Sequence, residues 1–414
     1  MRSAVIDAGY NSFRISVYDV FPNGSFRLIG SFKKFVRIGE GIQEGGVIPE
    51  NKIKEAEETF LKFKKIIEVK NVKDVRAVGT SAFRYALNGS EVSQRLSDIL
   101  GYDFRIISGE EEGMMSAIGV MNTLPVIDGI IFEIGGGSLE LAEILQRNVK
   151  KIVSLPIGAL KLINYSEREI RNKVRNELLT VSFKSNFLIG SGGNMRAIAK
   201  LDEKLSGFPS DSIHGYLISS KQINKYSKVL YSLDPEERAS LPGISKDRAF
   251  TIHTASIIID ELVQYFNAEY IMVSAFGMRE GVLTKDKVID RNKWLESIAY
   301  SYQIDPPWDI YREVERVSKG EMGFYVGASA FILSVLRMSG FINYYDACYK
   351  LLRNALIPGF TQNELLLISL ICKSAKGKIK KKLAKYLGIK RKELEYYGNV
   401  IKNILDELPL GVKI

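Results

Sequence analysis

IIFEIGGGSLE, residues 130–140, repeats the pattern of AVIDAGYNS, residues 4–12: an apolar run reaches a carboxylate and then a Gly-rich turn. The same order of segments follows each turn. SFRISVYDV and FRLIGSFKKFVRIG come after the first turn, LELAEIL and KIVSLPIGALKL come after the second, and each is typical of a β-strand. Both copies therefore predict three successive strands, and the pairing predicts a duplicated α/β fold with two similar lobes facing each other across a cleft.

The repeat continues beyond these strands. In both copies a helical stretch leads to a strand that enters a tight turn, RAVGTSAFR in the first and FLIGSGGNMR in the second. More helix and a last strand-to-helix junction follow, at FRIISGEEEG and at IMVSAFGMREG. We therefore expect a first lobe over residues 1–122 and a second lobe over residues 123–283.

The C-terminal part of the chain has a different pattern. From residue 290 the strand signals give way to apolar helical stretches such as ASAFILSVLRM and NELLLISLICKSA, which predict an all-helical domain over residues 290–414. Because proline cannot continue a helix, Asp305-Pro306-Pro307 marks an early break in that domain.

Length and composition limit the class of protein. A chain of 414 residues with 46% hydrophobic residues exceeds one ordinary core, so two or three domains are expected. The sequence shows neither a signal-peptide pattern nor an apolar run near 18 residues, which predicts a soluble, cytoplasmic protein without a membrane partner. Cys348 and Cys372 lie in no usual metal or redox spacing, and we interpret them as ordinary buried thiols.

The formal charge of +10 is concentrated in the C-terminal third of the chain. Residues 373–392 contain ten basic residues and no acidic one. Such a segment can attract an extended polyanion at long range, although a solvated helix face is the plainer alternative. The candidate polyphosphate track comprises Lys373, Lys376, Lys378, Lys380, Lys381 and Lys382.

The two Gly-rich turns are candidate phosphate-binding loops. Glycine lets a phosphate approach the backbone amides of a tight turn without meeting a Cβ atom. One such turn would be weak evidence, because Gly-rich hairpins are common, but two in register are much stronger. The candidate phosphate-binding residues are Gly9, Asn11 and Ser12 in the first turn and Gly135, Gly136, Gly137 and Ser138 in the second.

Three carboxylates accompany these turns, namely Asp7, Glu133 and Glu140. Carboxylates beside a phosphate would repel it unless a divalent cation lay between them. Oxygen ligands suit a hard metal, so the three acids predict a site for Mg²⁺ or Mn²⁺. Ordinary surface acids at strand ends are the alternative.

SGEEEG, residues 108–113, places three consecutive glutamates where a strand gives way to a helix. Acids in a first helical turn complement the helix dipole, which is their commonest role. If this junction opens toward the cleft, one of them can instead take a proton from a water that attacks phosphorus. Arg84, at the end of GTSAFR, could then bind phosphoryl oxygens in bidentate fashion.

A third Gly-rich turn, FLIGSGGNMR, leads into a helix N-terminus that can hold an anion or a nucleotide. Its candidate residues are Gly190, Ser191, Gly192 and Gly193. No Lys-Ser or Lys-Thr follows it, so this turn is not a Walker A loop.

Eight segments, taken in chain order from residue 4 to residue 283, resemble the exopolyphosphatase and guanosine pentaphosphatase family: IDAGYNSFR, GTSAFRYALNG, ISGEEEG, IFEIGGGSLEL, SLPIGALKL, IGSGGNMRAIAKL, LPGISKDRA and VSAFGMREGVL. That family belongs to the superfamily of sugar kinases, Hsp70 and actin. The resemblance therefore implies two RNase H-like lobes around a cleft and a phosphate chain as the substrate.

The resemblance also assigns roles to particular residues. It places the family's catalytic base on Glu112, with Glu111 as the alternative if the register shifts by one, and its phosphate-binding arginine on Arg84. The family's phosphate loops and metal-associated acids fall on the residues named above. The family normally has aspartate at the position of Glu133, and the added methylene moves the carboxylate outward by about 1.5 Å, which changes its distance to a metal.

Longer members of the family carry a helical domain that resembles HD-type phosphohydrolases. Residues 290–414 contain no histidine, so we expect no HD metal site there. A role in substrate binding or in dimerisation is the prediction, and the resemblance makes a homodimer the expected assembly.

The function that we expect is an exopolyphosphatase, with water activated by Glu112 attacking the terminal phosphorus of polyphosphate. Hydrolysis of guanosine pentaphosphate to the tetraphosphate is the alternative within the same chemistry. Two further alternatives are an actin-like or Hsp70-like ATP-binding protein, which would share the scaffold, and a nucleic-acid-binding protein, which would explain the basic segment but not the carboxylates.

Overall fold

The structure, a computed structural model, describes residues 1–40, 42, 45–318, 320, 322–377, 379 and 381–407, with the backbone alone described at residue 381. The chain forms two compact units. The first comprises Met1–Ser206 and Leu217–Val288, and the second comprises Gly207–Tyr216 and Ile289–Ile414. Residues 207–216 thus group with the helical part of the chain.

The first half of the first unit is built on a five-stranded sheet with strand order β3-β2-β1-β4-β5. Its elements, in chain order, are β1 (Arg2–Ala8), β2 (Phe13–Val20), β3 (Phe26–Lys34), α1 (Glu50–Val69), β4 (Asp74–Gly79), α2 (Ser81–Tyr85), α3 (Gly89–Leu100), β5 (Phe104–Ile106) and α4 (Gly109–Thr123). The apolar run of β1 is buried, as a central strand requires. Since β1 pairs in parallel with β4, with Ala8 opposite Gly79, the turns that follow these two strands leave the same edge of the sheet.

The second half of this unit repeats that arrangement in a six-stranded sheet with strand order β10-β11-β9-β6-β7-β8. Its elements are β6 (Gly129–Ile134), β7 (Leu139–Leu145), β8 (Asn148–Leu155), α5 (Glu167–Leu178), β9 (Leu188–Ser191), α6 (Gly192–Ser206), β10 (Tyr216–Ser219), α7 (Ser220–Ser232), α8 (Pro235–Ser240), α9 (Lys246–Ala249), α10 (Ile252–Tyr265), β11 (Tyr270–Val273) and α11 (Met278–Thr284). The order β8-β7-β6-β9-β11 matches β3-β2-β1-β4-β5, which confirms the predicted α/β duplication. The edge strand β10 has no counterpart in the first sheet and was not predicted.

Local sequence explains where the helix that carries the three glutamates begins. Ser108 is the N-cap of α4, and its Oγ accepts a hydrogen bond from the backbone N–H of Glu111 at 3.0 Å. The acidic first turn also complements the positive end of the helix dipole. The same residues therefore define the start of the helix and place carboxylates at that point.

Aromatic side chains fill the core beneath the first sheet. Phe60 of α1 packs edge-on against Phe13 of β2 and Phe104 of β5, with ring centroids 5.8 and 5.2 Å apart. All three rings are buried. Burial of such rings stabilises the fold by about 1.5–3 kcal/mol each, which anchors the strands whose ends carry the turns.

Among the residues described after position 289, the second unit consists of helices and their connections, as the sequence predicts. Its helices are α12 (Arg291–Ser301), α13 (Trp308–Val317), α14 (Met322–Met338), α15 (Tyr344–Asn354), α16 (Gln362–Lys376), α17 (Lys381–Tyr386) and α18 (Arg391–Glu407). The predicted break at Pro306 and Pro307 is confirmed, since it separates α12 from α13. Among the described residues, no helix has both the length and the apolar character that a membrane crossing needs.

Candidate active site

A cleft lies where strand ends from both sheets meet in the first unit, and its space is about 1010 Å³ when the open solvent at its mouth is included. Asp7 at the end of β1 and Thr80 after β4 line it from the first sheet, and Glu133 of β6 and Gly192 after β9 line it from the second. The duplication therefore brings the equivalent ends of two sheets to one cavity, which is the usual place for a ligand in an open α/β sheet.

The two predicted phosphate loops have the same backbone geometry. The N–H of Gly9 donates to the carbonyl of Ser12 at 3.1 Å, and the N–H of Gly135 donates to the carbonyl of Ser138 at 2.9 Å. Gly137 faces Tyr10 of the first turn, and a Cβ added there would lie 2.8 Å from the ring. The two loops therefore approach each other, and the approach needs glycine.

Most of the predicted loop residues line the cleft. They are Gly9, Asn11 and Ser12 in the first turn, Gly135, Gly136 and Ser138 in the second, and Gly192 and Gly193 in the third. Gly190 instead serves packing, because a Cβ there would meet Met195 and Phe132 at 2.6 and 2.7 Å.

The side chains of Arg84 and Glu112 are in contact beside these turns, and both are largely buried. Arg84 Nη1 donates to Glu112 Oε2 and to the carbonyl of Ile107, both at 2.8 Å. Arg84 Nη2 is buried and has no hydrogen-bond partner in the part of the chain that the structure describes. A buried donor without a partner is costly, so this nitrogen is suited to a phosphoryl oxygen.

The two neighbouring glutamates, Glu111 and Glu112, lie in different environments. Glu112 lines the cleft, and burial raises its pKa well above 4.5, with the charges of Glu140 and Glu133 adding to the rise and Arg84 opposing it. Glu111 instead pairs with Arg105, at 2.5 Å, on the exposed side of the helix. The two candidates for the base are thus one residue apart in sequence and occupy different surroundings.

Asp7 and Glu133, two of the three acids predicted to bind metal, line the cleft, and Glu140 is buried beside Glu133. Glu133 and Glu140 are direct cross-strand partners on β6 and β7. Burial raises the pKa of Asp7 to about 6 and that of Glu140 to about 7, and the charge of Glu133 contributes to both rises. Carboxylates whose negative charges repel one another form an environment that favours a hard divalent cation.

The acids do not form a cage for an ion. Within the described residues, no three side chains of His, Cys, Asp or Glu converge closely enough to hold a metal by themselves. Mg²⁺ is commonly bound by one or two protein carboxylates together with water and substrate phosphates, so the donor set fits that mode of binding.

The sequence reasoning missed a group of basic side chains in the same cleft, which we call the cationic wall. It comprises Arg14, Lys33, Arg196, Arg248 and Arg279. Burial, together with the charges of neighbouring arginines, lowers the pKa of Lys33 to about 7 and that of Arg248 to about 10. A set of partly buried cations that repel one another is a site prepared for an anion.

A sequence signal for three members of the wall existed. Arg14, Arg196 and Arg279 each lie two or three residues beyond a glycine or serine that ends a turn. Lys33 comes from the edge strand β3 and Arg248 from the short helix α9, and no local pattern connects either residue with the turns.

The predicted polyphosphate track lies in the second unit. Lys373 and Lys376 of α16 both pair with Asp346 of α15, so part of their charge is compensated locally. Lys382 is exposed. Lys378 and Lys380 lie outside the described residues, as does the side chain of Lys381.

Fold and cleft together define the class of this protein. Two duplicated sheets that present glycine turns, carboxylates and cations to one cavity form an enzyme of the actin-like ATPase fold. The chain belongs to the Ppx/GppA phosphatase family, whose model matches residues 17–288. It is a hydrolase that acts on phosphoanhydride bonds.

Curated relatives match the same part of the chain. A bifunctional 3-dehydroquinate synthase/phosphatase of Fusobacterium nucleatum is 28% identical over 66% of this chain, which spans 44% of that protein's length. Exopolyphosphatase 2 of Mycobacterium tuberculosis is 23% identical over 64% of this chain and 90% of its own length. Exopolyphosphatase 1 of Mycobacterium bovis is 24% identical over 72% of this chain and 92% of its own length.

Solved structures agree with the fold. The Ppx/GppA family member of Aquifex aeolicus superposes with a TM-score of 0.61 at 27% identity, covering 68% of this chain and 96% of that one. An exopolyphosphatase from Cytophaga hutchinsonii superposes with a TM-score of 0.64 at 24% identity, covering 70% of this chain and all of that one. The sequence-based assignment to the family and to a two-lobed fold is therefore confirmed.

Proposed function

We propose that this protein is an exopolyphosphatase, which releases the terminal phosphate of inorganic polyphosphate. The cationic wall supports the proposal most strongly, because it lies in the same cleft as the turns and the buried acids. One phosphate needs few cations. Five partly buried basic side chains beside the reacting position suit a substrate that carries several phosphates in a row.

The terminal phosphate is bound between the first two turns. Backbone amides near Gly9 and Gly135 and the hydroxyl of Ser12 are donors available to it there, while the hydroxyl of Ser138 bonds the carboxylate of Glu140. Arg84 Nη2 supplies a charged donor, and its Nη1 remains bonded to Glu112. Charge that develops on the phosphoryl oxygens in the transition state is thereby stabilised.

Glu112 is the residue that we assign as the general base. It takes a proton from a water whose oxygen forms a bond to the terminal phosphorus, while the bond from phosphorus to the bridging oxygen breaks and the shortened chain leaves. Its raised pKa makes it a better proton acceptor than an exposed glutamate.

We also propose that a divalent cation takes part in the reaction. Asp7, Glu133 and Glu140 would hold Mg²⁺ or Mn²⁺, which when bound neutralises charge on the phosphate oxygens. The protein groups alone position the substrate and receive the proton.

Hydrolysis of guanosine pentaphosphate is the second candidate. The observation that favours it is that Gly192 and Gly193, at the N-terminus of α6, line the same cleft, where a helix N-terminus can hold an anion of a nucleotide.

One assay separates the two candidates. Phosphate release is measured from long polyphosphate, short polyphosphate and guanosine pentaphosphate, each with Mg²⁺ or with Mn²⁺. We expect the largest kcat/KM on polyphosphate and no turnover without a divalent cation. A kcat/KM that is highest on the nucleotide would replace the proposal by the second candidate, and full activity in a chelator would remove the metal from it.

A further inference from the structure

Glu133 is held by two serine hydroxyls: Ser116, which lies outside the motifs, and Ser191, which belongs to the third Gly-rich turn and bonds this carboxylate. Ser116 of α4 and Ser191 at the end of β9 both donate to its Oε2, and the distance from Ser191 is 3.1 Å. Both serines are almost completely buried. Buried hydroxyls that converge on one carboxylate oxygen fix the orientation of that carboxylate.

The position of Ser116 gives this arrangement a functional consequence. Ser116 lies four residues after Glu112, which is one turn further along α4. The hydrogen bond from Ser116 therefore connects the helix that carries the base with β6, the strand that leads into the second phosphate loop.

The hydrogen bond between Ser116 and Glu133 depends on the length of the Glu133 side chain. Aspartate is shorter by one methylene, about 1.5 Å, and from the same backbone position its carboxylate would withdraw from α4. The remaining space around Glu133 is narrow, because a Cβ at Gly192 would lie 3.0 Å from Glu133 Oε1 and one at Gly277 would lie 3.2 Å from its Oε2.

We propose that Ser116 and Ser191 are positioning residues that hold Glu133 and, through it, set the placement of the Glu112 helix against the second phosphate loop. The proposal rests on the assignment of Glu112 as the base. It explains why a glutamate serves at position 133 in this chain: the longer acid reaches a hydroxyl on α4 that a shorter acid would leave without a partner.

A double-mutant cycle tests the proposal. Ser116→Ala, Glu133→Asp and the double variant are compared with the wild type on whichever phosphoanhydride substrate the wild type hydrolyses. We expect each single variant to lower kcat by about tenfold with KM changed less than about twofold, and the double variant to be no slower than the slower single variant. Ser116→Thr keeps the hydroxyl and is expected to keep most of kcat.

The controls separate positioning from general destabilisation. Ser256→Ala removes a buried hydroxyl that donates to the carbonyl of His253 in its own helix, and it is expected to leave kcat unchanged. Additive losses in the cycle, or wild-type kcat in Ser116→Ala, would overturn the proposal. A loss of kcat that is explained by a fall in melting temperature would also overturn the proposal. Because the cycle does not depend on which substrate is used, a failure of the polyphosphate assignment would be recognised separately.

A second observation, in the helical unit, concerns the two cysteines. Cys348 on α15 and Cys372 on α16 are both fully buried free thiols, as the sequence predicts, but their sulfur atoms are in contact at 2.9 Å. A disulfide bond needs about 2.0 Å between sulfurs, so a movement of less than about 1 Å would allow one.

We infer that Cys348 and Cys372 are a disulfide-forming pair that links α15 to α16. The reaction is an exchange with a small-molecule disulfide: one thiolate attacks it, the second resolves the mixed disulfide, and two molecules of the small thiol leave with the protons. Burial raises the pKa of Cys348 well above 9, so the packed pair reacts slowly, and the bond forms while the helices assemble.

Refolding of the full chain tests this pair. The protein is refolded from denaturant with oxidised and reduced glutathione, unfolded again, alkylated with iodoacetamide, and weighed by mass spectrometry before and after reduction. We expect no alkylation before reduction and two additions after it, together with a melting temperature several degrees above that of the reduced protein. Two alkylated thiols before reduction, or two glutathione adducts, would overturn the inference. Cys348→Ser is the control. It keeps one reactive thiol, and we expect its melting temperature to be the same under oxidising and reducing conditions.

Discussion

At the residue scale, the chemistry of this protein depends on carboxylates that are close together in the sequence but lie in different surroundings. Glu111 and Glu112 are adjacent, yet Glu111 pairs with the exposed Arg105 and Glu112 lines the cleft beside Arg84. Helical geometry explains the difference, because consecutive residues on a helix point about 100° apart.

Replacing Glu112 by Gln therefore tests the assignment of the base. Glutamine keeps the size of the side chain but cannot take a proton, so we expect phosphate release to fall by about 10²–10⁴-fold while polyphosphate binding persists. Turnover is measured by phosphate release and binding by calorimetry. Glu111→Gln is the matched control and is expected to retain activity; a wild-type rate in Glu112→Gln would end the assignment.

Lys33 makes the affinity for substrate depend on pH. Burial lowers its pKa to about 7, so the ammonium that attracts an anion is present below pH 7 and is lost as the pH rises through that value. We expect KM for polyphosphate to increase by at least about threefold between pH 6 and pH 8.5.

Two variants isolate this effect. Lys33→Arg keeps its charge throughout the range and should have a low KM that changes little with pH, whereas Lys33→Met should have a high KM that changes little. The same rise of KM in Lys33→Met as in the wild type would show that another group causes it. Initial rates at several substrate concentrations, at constant ionic strength, provide these values.

At the element scale, the glycine turns depend on neighbouring backbone segments that pack closely against them. Gly158, in the segment after β8, lies so close to the second phosphate loop that a Cβ would be 2.4 Å from the carbonyl oxygen of Gly136. This backbone contact supports the loop from behind, and the N–H of Leu160 donates to the same oxygen at 3.0 Å.

Gly158→Ala is expected to displace the second loop. Because the obstructing atoms belong to the backbone, the loop must move, and we expect kcat/KM to fall by about tenfold or more with a loss of about 1–3 kcal/mol in the free energy of unfolding. Gly30→Ala in β3 provides the control, since a Cβ there meets nothing within 4 Å. Equal kinetics for the two variants would contradict the supporting role of Gly158.

At the scale of the whole molecule, two basic regions are candidate binding sites for a phosphate chain. The cationic wall belongs to the first unit, and its partly buried members line the cleft. The predicted polyphosphate track belongs to the second unit, where Asp346 already pairs with Lys373 and Lys376. Chain length distinguishes the two regions, since only a long substrate extends beyond the cleft.

Replacing Lys380, Lys381 and Lys382 together by Gln is expected to raise KM for long polyphosphate severalfold and to leave KM for short chains unchanged. Arg248→Gln, in the cleft, is expected to raise KM for both. If the triple variant treats long and short chains like the wild type, the helical unit does not hold the distal chain. The comparison is best made at low and high salt, because exposed charges are screened more strongly than buried ones.

The sequence by itself determined the duplicated strands, the glycine turns, the acidic helix start and the family, because each is written in residues close together in the chain. The pairing of two such motifs was enough to predict a cleft and the turn residues that contribute to its lining. Only the tertiary structure decided which glutamate enters the cleft, which buried serines hold Glu133, that Lys33 and Arg248 join one cationic wall, and that the two cysteines touch. Those relations connect residues on separate elements, and only packing sets the distances, burial and mutual charges that give them their chemistry.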